Sequence, residues 1–133
     1  MQKAMTSNPT AITPDTTVQE AARLMKSEDV GALPLVEDGR LTAVVTDRDL
    51  AIRVLAEGRG PETPVLDIAS QDLVTVDPQQ TLEEAARLMA GHQVRRLPVV
   101  EEDGRLVGML AQADVAQAGS DQLTGDVVQK ISQ

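Results

Sequence analysis

Thr46 and Asp49 lie three apart in the run Ala43-Val44-Val45-Thr46-Asp47-Arg48-Asp49. Their types suit binding chemistry. A carboxylate carries two acceptor oxygens and can take both hydroxyls of a cis-diol such as ribose. The Thr46 hydroxyl, the Arg48 guanidinium and the free N–H groups of a helix starting here would favour an anion such as phosphate. The same spacing is also a capping box, in which the two side chains simply close a helix's first turn. The motif alone leaves both readings open. A related run, Gly108-Met109-Leu110-Ala111-Gln112-Ala113-Asp114, keeps a carboxylate at Asp114, but Ala111 stands where Thr46 does. Any second site built on it is therefore weaker. Arg95 and Arg96 are adjacent, and guanidinium forks pair bidentately with phosphate oxygens. The alternative is two surface arginines at a strand start, pointing to opposite faces. His92 is the only histidine and there is no cysteine. That is poor material for a metal site or for a nucleophile–base pair. Neither a metal nor catalytic residues are expected.

The elements that would position these residues occur twice. Pro14–Glu37 reads PDTTVQEAARLMKSEDVGALPLVE, and Pro78–Glu101 reads PQQTLEEAARLMAGHQVRRLPVVE, with Pro14 answered by Pro78, 64 positions on. One residue near Asp103 is inserted, after which Gly39-Arg40-Leu41 matches Gly104-Arg105-Leu106 and Asp49 matches Asp114. A duplication of this length is one supersecondary unit repeated. Thr17-x-x-Glu20 and Thr81-x-x-Glu84 are capping boxes. They open helices whose apolar residues (Val18, Ala21, Ala22, Met25; Leu82, Ala85, Ala86, Met89) recur at helical spacing, to about Ser27 and Gly91. Leu33–Val36 and Leu41–Val45 flank Asp38-Gly39 as a hairpin, repeated by Leu97–Val100 and Leu106–Leu110. Second helices are expected over 47–57 and 112–118, with Gly58–Pro64 linking the copies. Met5–Thr13 and Ala69–Asp77 align as a turn plus a short strand. Residues 125–133 read as a final amphipathic turn or two, with Val127, Val128 and Ile131 inward. The fold class is α/β (α+β): two β-α-β-β-α repeats, 1–60 and 61–133, packed with pseudo-two-fold symmetry. Each alone, at roughly 60 residues, would be marginal, so a shared core is expected.

Net charge is −9, and the chain has no Phe, Tyr or Trp. A mixed acidic surface argues against nucleic acid, which needs a basic face. The missing rings remove base stacking as a device. With no signal peptide or long apolar run, a soluble cytoplasmic protein away from membranes is expected.

The order helix, Gly-Ala-Leu-Pro-Leu-Val-Glu-Asp-Gly-Arg-Leu, apolar strand, Thr-Asp-Arg-Asp, helix resembles the cystathionine-β-synthase (CBS) domain. Two in tandem resemble a CBS pair, or Bateman module, of the stand-alone bacterial kind, and the likeness covers essentially the whole chain. The family usually has Gly where Ala43 stands. The resemblance implies a non-catalytic regulatory module, with an adenine nucleotide (AMP, ADP, ATP) or related adenosyl ligand in the cleft between the repeats and no cofactor required. It implies Asp49 on the ribose, with Thr46 and Arg48 beside it, and Arg95 and Arg96 on the phosphates of that same cleft. Thr10, Ile12, Thr13, Ala32 and Pro34 are the candidates around the adenine, and Asp114 marks the second, weaker cleft. It also implies a homodimer through helical faces such as Leu50, Ile52, Val54, Leu55, Val115 and Ala116, and an unknown regulated protein as partner. The competing reading is a ligand-free dimerisation scaffold with the CBS fold.

Overall fold

The computed structural model describes residues 5–7, 9–71 and 73–117. The expected terminal helix at 125–133 lies outside the described residues. Strand β1 is Thr6–Ser7, helix α1 Val18–Glu28, strands β2 and β3 Ala32–Glu37 and Arg40–Thr46. A short helix α2, Asp47–Asp49, runs into a π-helical stretch, Leu50–Leu55, and a 3-10 turn follows at Val65–Asp67. Helix α3 is Leu82–His92, strands β4 and β5 are Arg96–Val100 and Leu106–Ala111, and residues 112–117 are helical. The chain divides into two compact units that interleave in sequence. Unit I holds Pro9–Leu73 and Glu102–Leu106; among the described residues unit II holds β1, 74–101 and 107–117.

In unit I, α1 starts where its first N–H groups find side-chain acceptors. Thr17 Oγ1 accepts from the Glu20 N–H at 3.1 Å, and the Glu20 carboxylate accepts from the Thr17 N–H at 3.4 Å. The stretch expected as a linker also closes on this turn. The Val18 N–H donates to the Thr63 carbonyl at 2.8 Å, and the Val65 N–H to Thr16 at 2.8 Å. The backbone pairs where Gly and Pro suggested a loop, because Thr63 and Pro61 supply carbonyls to Val18 and Gln19, donors a helix start leaves free. The helix ends one residue later than expected, at Asp29 in the left-handed region (φ 55°). Asp38 (φ 53°) and Gly39 (φ 80°) form the two-residue turn joining β2 to β3, the positive-φ pair such hairpins favour. Ile12 lies alongside β2, its N–H donating to Pro34 and its carbonyl accepting from Val36. On the other edge, Ser70 pairs with Val44 of β3.

The second helix departs from expectation. The Ala56 N–H reaches back five residues to Ala51, and the Arg59 N–H five to Val54. The helix stops at Leu55 rather than 57, since Gly58 adopts φ 69° and turns the chain out. Ile12, Val18, Met25, Leu33, Leu35, Val45, Val54, Val65 and Ile68 are buried around Ala21 and Ala43. Each such aliphatic side chain contributes about 1.5–3 kcal/mol by leaving water.

Unit II repeats the plan. Thr81 and Glu84 form the capping box of α3, which runs past Gly91 to a left-handed Gln93. Val76 bridges Val99 as Ile12 bridges Leu35. Its sheet has the order β1-β5-β4, with Thr6 opposite Met109 and Ser7 opposite Gly108. Val76, Ala85, Met89, Leu97, Val99 and Leu110 form its buried cluster. Among the described residues the buried side chains gather into two clusters, one within each unit.

Candidate functional site

Thr46 ends β3 and Asp49 sits three residues on, so both stand at a strand-to-helix corner of unit I. Ala32 opens β2 directly opposite Thr46. Ile12 is held against Pro34 by its backbone. Eight of the candidate residues (Thr10, Ile12, Thr13, Ala32, Pro34, Thr46, Arg48, Asp49) thus belong to one unit. Their side chains differ in reach. Ile12 and Ala32 are buried core residues, as is Pro34, whereas Thr10, Thr13 and Arg48 are exposed. The Thr10 hydroxyl donates to Glu28 Oε1 at 2.9 Å, and that of Thr13 bonds to Asp15.

At the corner itself the capping box is formed. The Thr46 N–H donates to Asp49 Oδ2 at 2.9 Å, and the Asp49 N–H to Thr46 Oγ1 at 3.1 Å. The remaining donors of the first turn are used as well. Asp47 N–H bonds to the Gly31 carbonyl, Arg48 N–H to Asp47 Oδ1 at 2.8 Å, and Leu50 N–H to the Asp47 carbonyl. The expectation that this helix start offers unpaired N–H groups to a phosphate is therefore corrected: all five N–H groups from Thr46 to Leu50 are bonded, four within the turn and that of Asp47 to Gly31. What the corner retains is side-chain capacity. Thr46 still has a hydroxyl proton to donate, and Asp49 Oδ1 takes no part in the cap.

Asp49 Oδ1 has one charged neighbour, Arg53 Nε at 3.8 Å, with the two side chains 14% and 54% exposed. Arg53 Nη1 also donates to the Ile68 carbonyl at 3.3 Å. Sequence reasoning passed over Arg53. The signal was there, since an Asp and an Arg four apart on a helix face one another.

In unit II the Ala111 N–H donates to Asp114 Oδ2 at 3.0 Å, one half of a capping box. Ala111 has no hydroxyl for the other half. Arg96 is half-buried at the start of β4, while Arg95 precedes the strand and is exposed. Arg95 also lines a groove of about 520 Å³ with Ala86, Ala90, Val94, Gln112 and Val115, and its carbonyl accepts from the Gln112 N–H. His92 is exposed in the last turn of α3, where a positive charge suits the helix dipole. Among the described residues no three His, Cys, Asp or Glu side chains gather to hold a metal ion, and no helix is long and apolar enough to cross a membrane.

The repeated strand, corner and helix, each with its carboxylate, define the class. The CBS-domain family profile matches residues 2–56 and 65–121, so the chain belongs to the CBS-domain family as a tandem pair. It is 47% identical over 116 residues to the CBS domain-containing protein YhcV of Bacillus subtilis, spanning 87% of this chain and 82% of that one. It is 41% identical over 103 residues to hypoxic response protein 1 of Mycobacterium tuberculosis, spanning 76% and 71%. The crystal structure of Hypoxic Response Protein I with two coordinated zinc ions superposes with TM-score 0.79 at 37% identity, covering 87% and 95%. CBSX2 in complex with AMP superposes with TM-score 0.79 at 31% identity, covering 90% and 94%.

Proposed function

We propose that this chain is a non-catalytic cytoplasmic regulatory module that binds an adenine nucleotide or a related adenosyl compound, with Asp49 accepting the ribose hydroxyls. The observation that carries the reading is the state of the Asp49 carboxylate. One oxygen is spent on the cap, and the other stands at the strand-to-helix corner with acceptor capacity left. The cap itself holds the carboxylate in place, so capping and ribose binding are complementary for Asp49. The AMP complex of the similar CBSX2 supports the ligand class. Arg48 and Thr46 assist beside Asp49, and Thr10, Thr13, Ala32 and Pro34 of the same unit border the base. Ile12 acts through its backbone, as its side chain is core. Asp114, with half a cap and no hydroxyl beside it, serves a weaker second site.

Titration calorimetry of AMP, ADP and ATP tests this. One saturable site per chain is expected, weakened at least tenfold by Asp49→Ala, the size of losing hydrogen bonds to a charged acceptor. Unaltered affinity in the variant would place the ligand elsewhere. Absence of heat from nucleotide-free, folded protein would favour the ligand-free dimerisation scaffold.

A further inference from the structure

We infer that Arg53 couples the Asp49 carboxylate to the backbone of Val65–Ser70, so that a ligand drawing on Asp49 is felt in the segment that follows the Gly58–Pro64 linker. This rests on the ribose reading of Asp49 and adds its means of transmission. The geometry is specific. Arg53 Nε faces Asp49 Oδ1 at 3.8 Å, and Nη1 of the same guanidinium donates to the Ile68 carbonyl at 3.3 Å. One planar fork thus serves two acceptors, which a lysine ammonium on a flexible stem does not reproduce.

The oxygen concerned is the one a diol needs. Oδ2 already accepts the Thr46 N–H, so Oδ1, held by Arg53 only through charge at 3.8 Å, is the freer acceptor for a ribose hydroxyl, and bonding it weakens that ion pair. The far end of the link is a well-defined piece of backbone. Ile68 and Ala69 N–H groups both donate to the Val65 carbonyl, and Ser70 exchanges two bonds with Val44 of β3, at 2.9 and 3.0 Å. Val65 and Ile68 are buried in the unit I core, which the chain leaves only after Leu73. Arg53, 54% exposed on its side chain, is free to shift between its two acceptors without disturbing that core.

The test is hydrogen exchange at the amides of Ile68, Ala69 and Ser70 with and without AMP. It compares wild type, Arg53→Ala and Arg53→Lys, with AMP affinity measured on each by calorimetry. In wild type, saturating AMP should change exchange there by roughly two- to fivefold, the scale of one exposed charge pair. Both variants should bind AMP and lose that change. Binding with the same exchange response in Arg53→Ala would overturn the coupling and leave the ligand site intact. Loss of AMP binding in both variants would make Arg53 a ligand contact, again overturning it. If wild type itself fails to bind AMP, the ribose reading falls and the coupling with it.

Discussion

Gly108 and Ala43 occupy equivalent places in the two repeats, and the neighbouring strand treats them differently. Opposite Gly108 lies Ser7, and a Cβ built on Gly108 would sit 2.9 Å from the Thr6 carbonyl oxygen and 2.5 Å from the Met5 sulfur. β1 approaches β5 that closely over two paired residues. On β3, Ala43 carries a methyl and is fully buried, and its neighbour in the strand, Val44, makes an isolated bridge to Ser70 rather than a paired strand. The Gly of the family signature is thus a packing residue in unit II, and its loss at Ala43 leaves the Thr46–Asp49 corner intact. Gly108→Ala must displace backbone and is expected to cost about 1–3 kcal/mol, as overpacking does. Denaturant midpoints would show it, and a value within about 0.3 kcal/mol of wild type, the scale of an ordinary surface change, would refute the close approach.

The helices carry two testable departures from ideal termination and pairing. Both α1 and α3 end in a non-glycine residue in the left-handed region, Asp29 and Gln93, each with φ 55°. Asp tolerates that conformation through its short polar side chain; Gln has no such excuse and pays the Cβ clash. Gln93→Gly should therefore raise stability by about 0.5–1 kcal/mol, and Asp29→Gly by less. Paired thermal melts would settle the ranking.

The capping box of α3 also sets a pH dependence. The backbone N–H of Thr81, then its hydroxyl and Gln80, hold the Glu84 carboxyl below the ordinary glutamate value. A lowered native value favours the folded state above the unfolded one's titration, and that contribution disappears as pH falls through the native value. Acid should thus weaken the fold through Glu84 only below the usual glutamate range. Glu84→Gln, which keeps an acceptor for the cap but does not titrate, should flatten that part of a melting-point-against-pH curve. An unchanged acid slope would show that Glu84 contributes nothing to it.

For the whole molecule, the exposed apolar residues matter most. Leu55 is 79% and Ile52 47% exposed, three apart on one helix, whereas Leu50 is half-buried and Val54 lies in the core. Val54 is thereby removed from the helical face expected to meet a second copy, and Leu55 becomes its most exposed member. Single exposed aliphatics are ordinary. Two on one helix are the face to test for the dimer that the CBS resemblance implies. Sedimentation equilibrium is expected to give a dimer mass for wild type and a monomer mass for Leu55→Glu. A dimer that survives Leu55→Glu would move the contact off this helix.

Much of this was legible in the residues alone. The capping boxes at Thr17 and Thr81, the Asp38-Gly39 turn and the Thr46–Asp49 motif are local signals, each decided within four or five residues, and the duplication is read by laying the chain against itself. The repeated order of helix, hairpin and corner carried the family. Tertiary structure decided whatever depends on partners distant in sequence. It put Thr6–Ser7 on β5 and Ser70 on β3, because a strand edge accepts any segment of matching backbone whatever its place in the chain. It closed the Pro64 stretch onto α1, since a helix start needs acceptors that a linker's composition does not announce. It also spent the five N–H groups of the corner on Gly31, Asp47 and the capping pair, leaving recognition there to side chains, and joined Arg53 to Ile68. Periodicity shows which face of a helix is apolar, but not which distant carbonyl its charged side chain will find.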